Sequence, residues 1–155
     1  MIEVNVGPRT IDIPYRVRIP KVSEEWFDEM VDEDTKAELI NGVMVVHSPA
    51  SPRHNQVAGF LREPLGLYAQ EKGLGVVYGP DDLVHLATCR KFAPGAFFLQ
   101  RERVPHPLPA KQFEGAPDLV VEVLSPSNRD DDLEDKRPAY QEAGREGALV
   151  CGPRS

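Results

Sequence analysis

Apolar residues recur along this chain at two spacings, and the points where the spacing changes mark its elements. The densest run is Leu119-Val120-Val121-Glu122-Val123-Leu124, introduced by Ala116-Pro117-Asp118 and closed by Ser125-Pro126-Ser127. Its length and valine content predict a strand buried on both faces at the centre of a sheet. Ala37–Ile40 and Val43–Val46 flank Asn41-Gly42, a pair that accepts positive φ at both positions of a two-residue hairpin turn. Short strands are expected at Gly75–Tyr78, Leu83–Leu86, Ala96–Leu99 and Ala148–Val150. Residues 1–20 alternate weakly through Ile11, Ile13, Tyr15, Val17 and Ile19, with Pro14 and Pro20 interrupting, as in an extended arm or edge strand.

Helical spacing appears in three places. Ser23 caps a short acidic helix whose apolar stripe is Trp26, Phe27, Met30 and Val31. Ser51 and Pro52 suit the cap and first position of the main helix, with Val57, Phe60, Leu61, Leu65 and Tyr68 as its core face. Pro64 should kink that helix or split it, and Gly73 ends it. After Ser127, the acids Asp130, Asp131, Asp132, Glu134 and Asp135 suit the positive end of a helix dipole. Leu133, Lys136, Arg137 and Tyr140 would share that helix's inward face, with Pro138 keeping it short or bent. Residues 101–115, with three prolines, read as a surface loop. The mixture predicts a small α/β (α+β) fold: an arm over 1–22 and a domain over 23–155.

Composition narrows the function classes. A net charge of −7 argues against gripping nucleic acid by bulk electrostatics, but permits a local basic groove or a metal that offsets phosphates. Cys89 and Cys151 form no C-x-x-C pattern and read as free thiols of a reducing compartment. There is no signal-peptide pattern and no apolar run near the ~18 residues of a membrane span, so a soluble cytoplasmic protein is expected.

Glu122 interrupts the central apolar run on the face shared by Val120 and Leu124. A carboxylate there must be neutral, paired with a cation or bound to metal, unless the strand end reaches solvent and Glu122 points out. If the hairpin, central strand and last helix converge, Glu38, Glu122 and Lys136 have the makings of a metal-assisted hydrolase. Carboxylates hold Mg²⁺ near a scissile phosphate, and a lysine positions water and offsets developing charge. Lys136 has a plainer alternative, a stem covering Leu133 and Tyr140. His54, in the first turn of the main helix, either orients a phosphate or site carboxylate or packs structurally. His47, His85 and His106 lack metal-ligand spacing, so no zinc site is expected. Arg90, Lys91, Arg101 and Arg103 form a modest basic patch or a solvated surface. No glycine-rich phosphate loop or nucleophile elbow is present.

Four segments in order carry a resemblance: Ala37-Glu38-Leu39-Ile40-Asn41-Gly42; Ser48-Pro49-Ala50-Ser51-Pro52-Arg53-His54; Glu114 through Ser127; and Asp135-Lys136-Arg137, Tyr140, Ala143-Gly144. Together they resemble the Uma-type "putative restriction endonuclease" family of bacteria, over roughly residues 23–150. The resemblance implies the PD-(D/E)xK nuclease fold, a mixed central sheet flanked by helices. It further implies Glu38 as first acid, Glu122 as motif glutamate and metal ligand, Lys136 as a lysine moved onto the following helix, and DNA hydrolysis with Mg²⁺ or Mn²⁺. A homodimer is expected by the same analogy. Two departures stand out. Where the family has Pro-Asp this chain has Pro94-Gly95, so the principal metal ligand is missing. Asp118 cannot replace it, because four strand residues place it ~13 Å from Glu122, and Asp81 and Asp82 lie in a turn. The family also continues beyond the position where this chain stops, as if truncated. The residues leave two readings: an attenuated metal-dependent DNA endonuclease, or a catalytically inactive interaction protein on the nuclease fold.

Overall fold

A computed structural model of the protein describes residues 16–32, 34–125 and 128–143, together with the backbone of 148–151. Among these residues the larger sheet runs β1 (Arg16–Ile19), β3 (Val43–His47), β2 (Ala37–Ile40), β6 (Arg90–Phe92), β5 (Leu83–Ala87), β8 (Gln112–Glu114). The smaller runs β10 (Ala148–Cys151), β9 (Leu119–Val123), β7 (Ala96–Gln100), β4 (Gly75–Tyr78). Pairs β10–β9 and β5–β8 are parallel and the rest antiparallel, so the fold is mixed α/β as expected. Helices α1 (Glu24–Met30), α2 (Pro52–Glu71) and α3 (Arg137–Glu142) accompany the sheets, with a π-helical turn at Asp131–Lys136 leading into α3. Among the described residues no helix is long and apolar enough to cross a membrane. The expected alternation of Ile11, Ile13 and Tyr15 lies outside the described residues.

Two local features position the buried acids. Asn41 and Gly42 take φ of 50° and 78°, the left-handed pair a two-residue hairpin needs, and this fixes the register Ile40↔Val43 and Glu38↔Val45. In the smaller sheet β9 is flanked by β10 and β7 and is buried from Val120 to Val123, Glu122 included. The β7–β9 ladder begins at Ala96↔Val121, so one further step sets Gly95 across from Glu122. Phe97 and Phe113 meet edge-on at 5.1 Å and Phe92 and Tyr140 at 5.5 Å, in a core that draws residues from both sheets and α3. A second cluster of Phe27, Leu39, Met44 and Val22 lies under α1, whose cap Ser23 accepts from Trp26 N at 3.2 Å.

Several expectations are corrected. α2 is not split at Pro64, which sits on its exposed side, where the carbonyl freed by the missing N–H can meet water. Its expected core stripe is mostly wrong. Leu61 and Leu65 are half-buried, but Val57, Phe60 and Tyr68 are exposed, and Ala69 is the buried residue. The helix turns its smaller residues to the sheet, with Gly66 close to Val77; periodicity reveals an apolar face but not which neighbour it meets. Strand β6 escaped notice because Arg-Lys-Phe has no strand pattern, and β8 lies within the supposed loop 101–115. Arg137 is exposed, while Asp131, Asp132, Lys136, Ala139 and Tyr140 turn inward, because the π-helical turn widens the spacing.

Candidate active site

Lys136 stands at the meeting point of three carboxylates. Its Nζ lies 2.6 Å from Asp132 Oδ1, 2.9 Å from Glu38 Oε1 and 3.1 Å from Glu122 Oε1. The acids come from the larger sheet (β2), the smaller sheet (β9) and the π-helical turn, so the lysine joins elements far apart in sequence. None of the four residues exceeds 6% exposure. Glu122 therefore does not point to solvent, and Lys136 is not a snorkelling stem. Glu38 is held further: Ala93 N donates to Oε1 at 2.8 Å and His47 Nε2 to Oε2 at 2.9 Å.

Three carboxylates around one ammonium leave surplus negative charge in a dry place, and the acids respond unequally. For Glu38, burial is outweighed by the Lys136 charge, His47 and the Ala93 N–H, which bring it down to about 2. Burial pushes Glu122 up to about 8, with Asp132 and Glu38 adding to the rise and Lys136 only partly opposing it. Asp132 is also raised, chiefly by burial. Burial would lower Lys136, but the three acids hold it well above the usual lysine range. The cluster at neutral pH thus holds an ionised Glu38–Lys136 pair with a proton retained on Glu122. Tyr140 Oη, buried beside them, has no hydrogen-bond partner among the described residues, and burial followed by the Glu122 charge keeps it protonated.

A cavity of about 110 Å³ opens beside the cluster, lined among others by Glu38, Glu122, Lys136, His54, Ser48 and Gly95. Ser51 caps α2 by accepting from His54 N, and this points the imidazole back toward β9. Nε2 of His54 donates to Val123 O at 3.1 Å, while Nδ1 is buried with no partner among the described residues. That pattern favours the neutral ring with Nδ1 as acceptor. Burial lowers the His54 pKa, and the Lys36 charge lowers it further against the Val123 hydrogen bond.

The resemblance would put an acid at Gly95, which lies beside the cluster. A Cβ on Gly95 would lie 3.2 Å from Val121 O and 3.7 Å from Val123 Cγ2, on the strand segment that carries Glu122. The other aspartates are engaged elsewhere. Asp118 pairs with Arg103 at 2.6 Å and accepts from Gln100 N, Asp81 pairs with Lys36 at 3.2 Å, and Asp82 accepts from Gly79 N. The suggested basic patch is likewise spent on the fold: Arg90 binds Asn41 and Glu142, Lys91 is buried against Asp28, Arg101 reaches Gly73 O, and Arg103 reaches Ala116 O.

Hard carboxylate oxygens are the right chemistry for Mg²⁺ or Mn²⁺. Among the described residues no three His, Cys, Asp or Glu side chains gather to hold an ion, and Lys136 fills the space between the acids. Two members were missed from sequence although signals existed. Asp132 precedes Lys136 by four residues, a helical neighbour spacing. His47 lies diagonal to Glu38 once the Asn-Gly turn sets the hairpin register.

Known proteins resemble this chain at the level of family and fold. The profile of the Uma2 family, described as "Putative restriction endonuclease", matches residues 24–154. A solved structure from Anabaena variabilis, described as a putative nuclease belonging to DUF820, shares 14% identity at a TM-score of 0.66. The alignment covers 85% of this chain and 74% of that one, and at such identity it establishes the fold alone. Comparison with curated proteins yields no match.

Proposed function

The chain belongs to the Uma2 family, and from that membership we propose a divalent-metal-dependent DNA endonuclease of restriction-endonuclease-like fold, attenuated at its metal site. One observation carries the reading: acids from two different sheets converge on Lys136 beside a cavity, with Gly95 across the ladder from Glu122. In such a site a bound Mg²⁺ or Mn²⁺ supplies positive charge to the phosphoryl oxygens. Glu122 and Glu38 are the residues to hold it, Lys136 the group to offset charge or position water, and His54 Nδ1 an acceptor toward the cavity. With the third carboxylate replaced by Gly95 and the lysine seated among the acids, we expect weak or no activity. The nuclease unit is residues 23–155, with 1–22 as an arm or edge strand that lends β1 to the larger sheet, working as a homodimer in the cytoplasm.

The same two features favour a second reading, a catalytically inactive interaction protein that keeps the cluster as a structural tie. Plasmid nicking with Mg²⁺ or Mn²⁺, comparing this chain with Glu122→Ala, separates the two. Metal-dependent nicking that disappears in Glu122→Ala supports the attenuated nuclease. Absence of nicking that Gly95→Asp does not restore, or equal nicking by this chain and Glu122→Ala, supports the interaction protein.

A further inference from the structure

The face of α2 turned away from the sheet carries Arg53, Val57, Phe60, Pro64, Leu67 and Glu71, all exposed. Their spacing alternates four and three residues, the heptad rhythm of a helix that packs on another helix. Phe60 is 75% exposed and Leu67 69%, more than ordinary scattered surface apolars require. Tyr68 and Leu74, in and just after the helix, are also exposed.

The order of residues within the stripe says what fits it. Folded about its midpoint, the stripe matches itself: Arg53 meets Glu71, Val57 meets Leu67, and Phe60 meets Pro64. A two-fold interface pairs residue i with j and j with i, so an antiparallel copy places opposite charges at both ends of an apolar seam. The seam is about 27 Å long. We propose that this face is the interface of a homodimer, two α2 helices packed antiparallel about a two-fold axis near residue 62. Residues that line the site cavity, Ser51 and His54, sit near the start of the same helix. The pairing therefore sets the two cavities about 25 Å apart along the helix direction.

Sedimentation equilibrium on the full chain from about 1 to about 100 µM, a range spanning ordinary protein association, tests the interface. We expect a dimer, and a Phe60→Glu/Leu67→Glu chain that is monomeric with its dissociation constant raised about 100-fold or more. Circular dichroism should show that this variant remains folded, because both positions face solvent. Arg53→Glu alone and Glu71→Arg alone should each weaken association about 3- to 10-fold, since each places like charges opposite one another at both ends. An equimolar mixture of these two single variants should dimerise better than either alone, because the mixed pair restores opposite charges at both ends. Three results would overturn the proposal: a monomeric parent chain throughout the range, which gives the face to another partner or to residues 1–15; a dimer indifferent to Phe60→Glu/Leu67→Glu; or a mixture no tighter than its components.

Discussion

Gly95→Asp puts a carboxylate on the strand position facing Glu122, and its cost and benefit can both be worked from the structure. The backbone there is not left-handed, so a side chain brings no φ strain. The new Cβ meets Val121 O at 3.2 Å, a few tenths closer than comfortable, and its carboxylate joins three acids already sharing one lysine. Crowding and surplus charge together should cost ~2–4 kcal/mol without metal. For a chain of this size that lowers Tm by roughly 5–12 °C in EDTA. The same substitution supplies the missing ligand, so a divalent ion at about a hundred times its Kd should return ~2.7 kcal/mol. The assay is thermal unfolding of the parent and Gly95→Asp chains in EDTA and in Mg²⁺, run beside plasmid nicking. We expect a Mg²⁺-dependent rise in Tm and nicking in Gly95→Asp that exceed those of the parent and vanish when Glu122→Ala is added. A Gly95→Asp chain no more responsive to Mg²⁺ than the parent would refute the placement of the third ligand.

The two buried lysines should respond very unequally to loss of charge. Lys136→Met strands three buried acids and should destabilise by ~3–5 kcal/mol near pH 8 in urea titration, less at lower pH where the acids protonate. Lys91→Met should cost under ~1.5 kcal/mol, because its partner Asp28 is 44% exposed and returns to water. The Glu122 carboxyl binds its proton more tightly when folded, with a value of about 8. Stability from this group is therefore full below about pH 4.5 and lost as pH rises through about 8, at up to ~1.4 kcal/mol per pH unit between. Glu122→Gln should flatten that fall, and an unfolding profile as steep as the parent's would count against the assignment. Tyr140→Phe removes a buried hydroxyl that has no partner among the described residues and should leave stability unchanged or raise it by ~0.5–1 kcal/mol; a loss above ~1 kcal/mol in the same urea assay would show that the hydroxyl is bonded.

What could be read from sequence depended on how local the cause was. The Asn41-Gly42 hairpin, the Ser23 and Ser51 caps and the apolar strand around Glu122 rest on contacts within a few residues, and they appear where expected. Glu38, Glu122 and Lys136 were named, but nothing in their spacing measures the distance between β2 and β9; the family pattern brought them together, and the structure places them around one ammonium. The Ala93 N–H on Glu38 was invisible because backbone donors leave no mark in sequence. The outward face of α2 was misread for a related reason. Its apolar period is genuine, but burial depends on which side the sheet occupies, and that is a long-range fact.

Arg16 and Arg18 on β1 both reach Asp131, at 2.8 and 2.6 Å, across more than a hundred residues, and Asp131 adjoins the acid that touches Lys136. During synthesis these long-range pairings impose an order. Glu38 and its hairpin leave the ribosome early, yet the ammonium that neutralises Glu38 exists only after residue 136 has been made. Until then Glu38 must stay hydrated or protonated, so the hairpin cannot settle into its final dry setting. Because contacts so remote in sequence are slow to close, the charge cluster should be among the last parts of the molecule to set, and a nascent chain carries its acids apart until that moment.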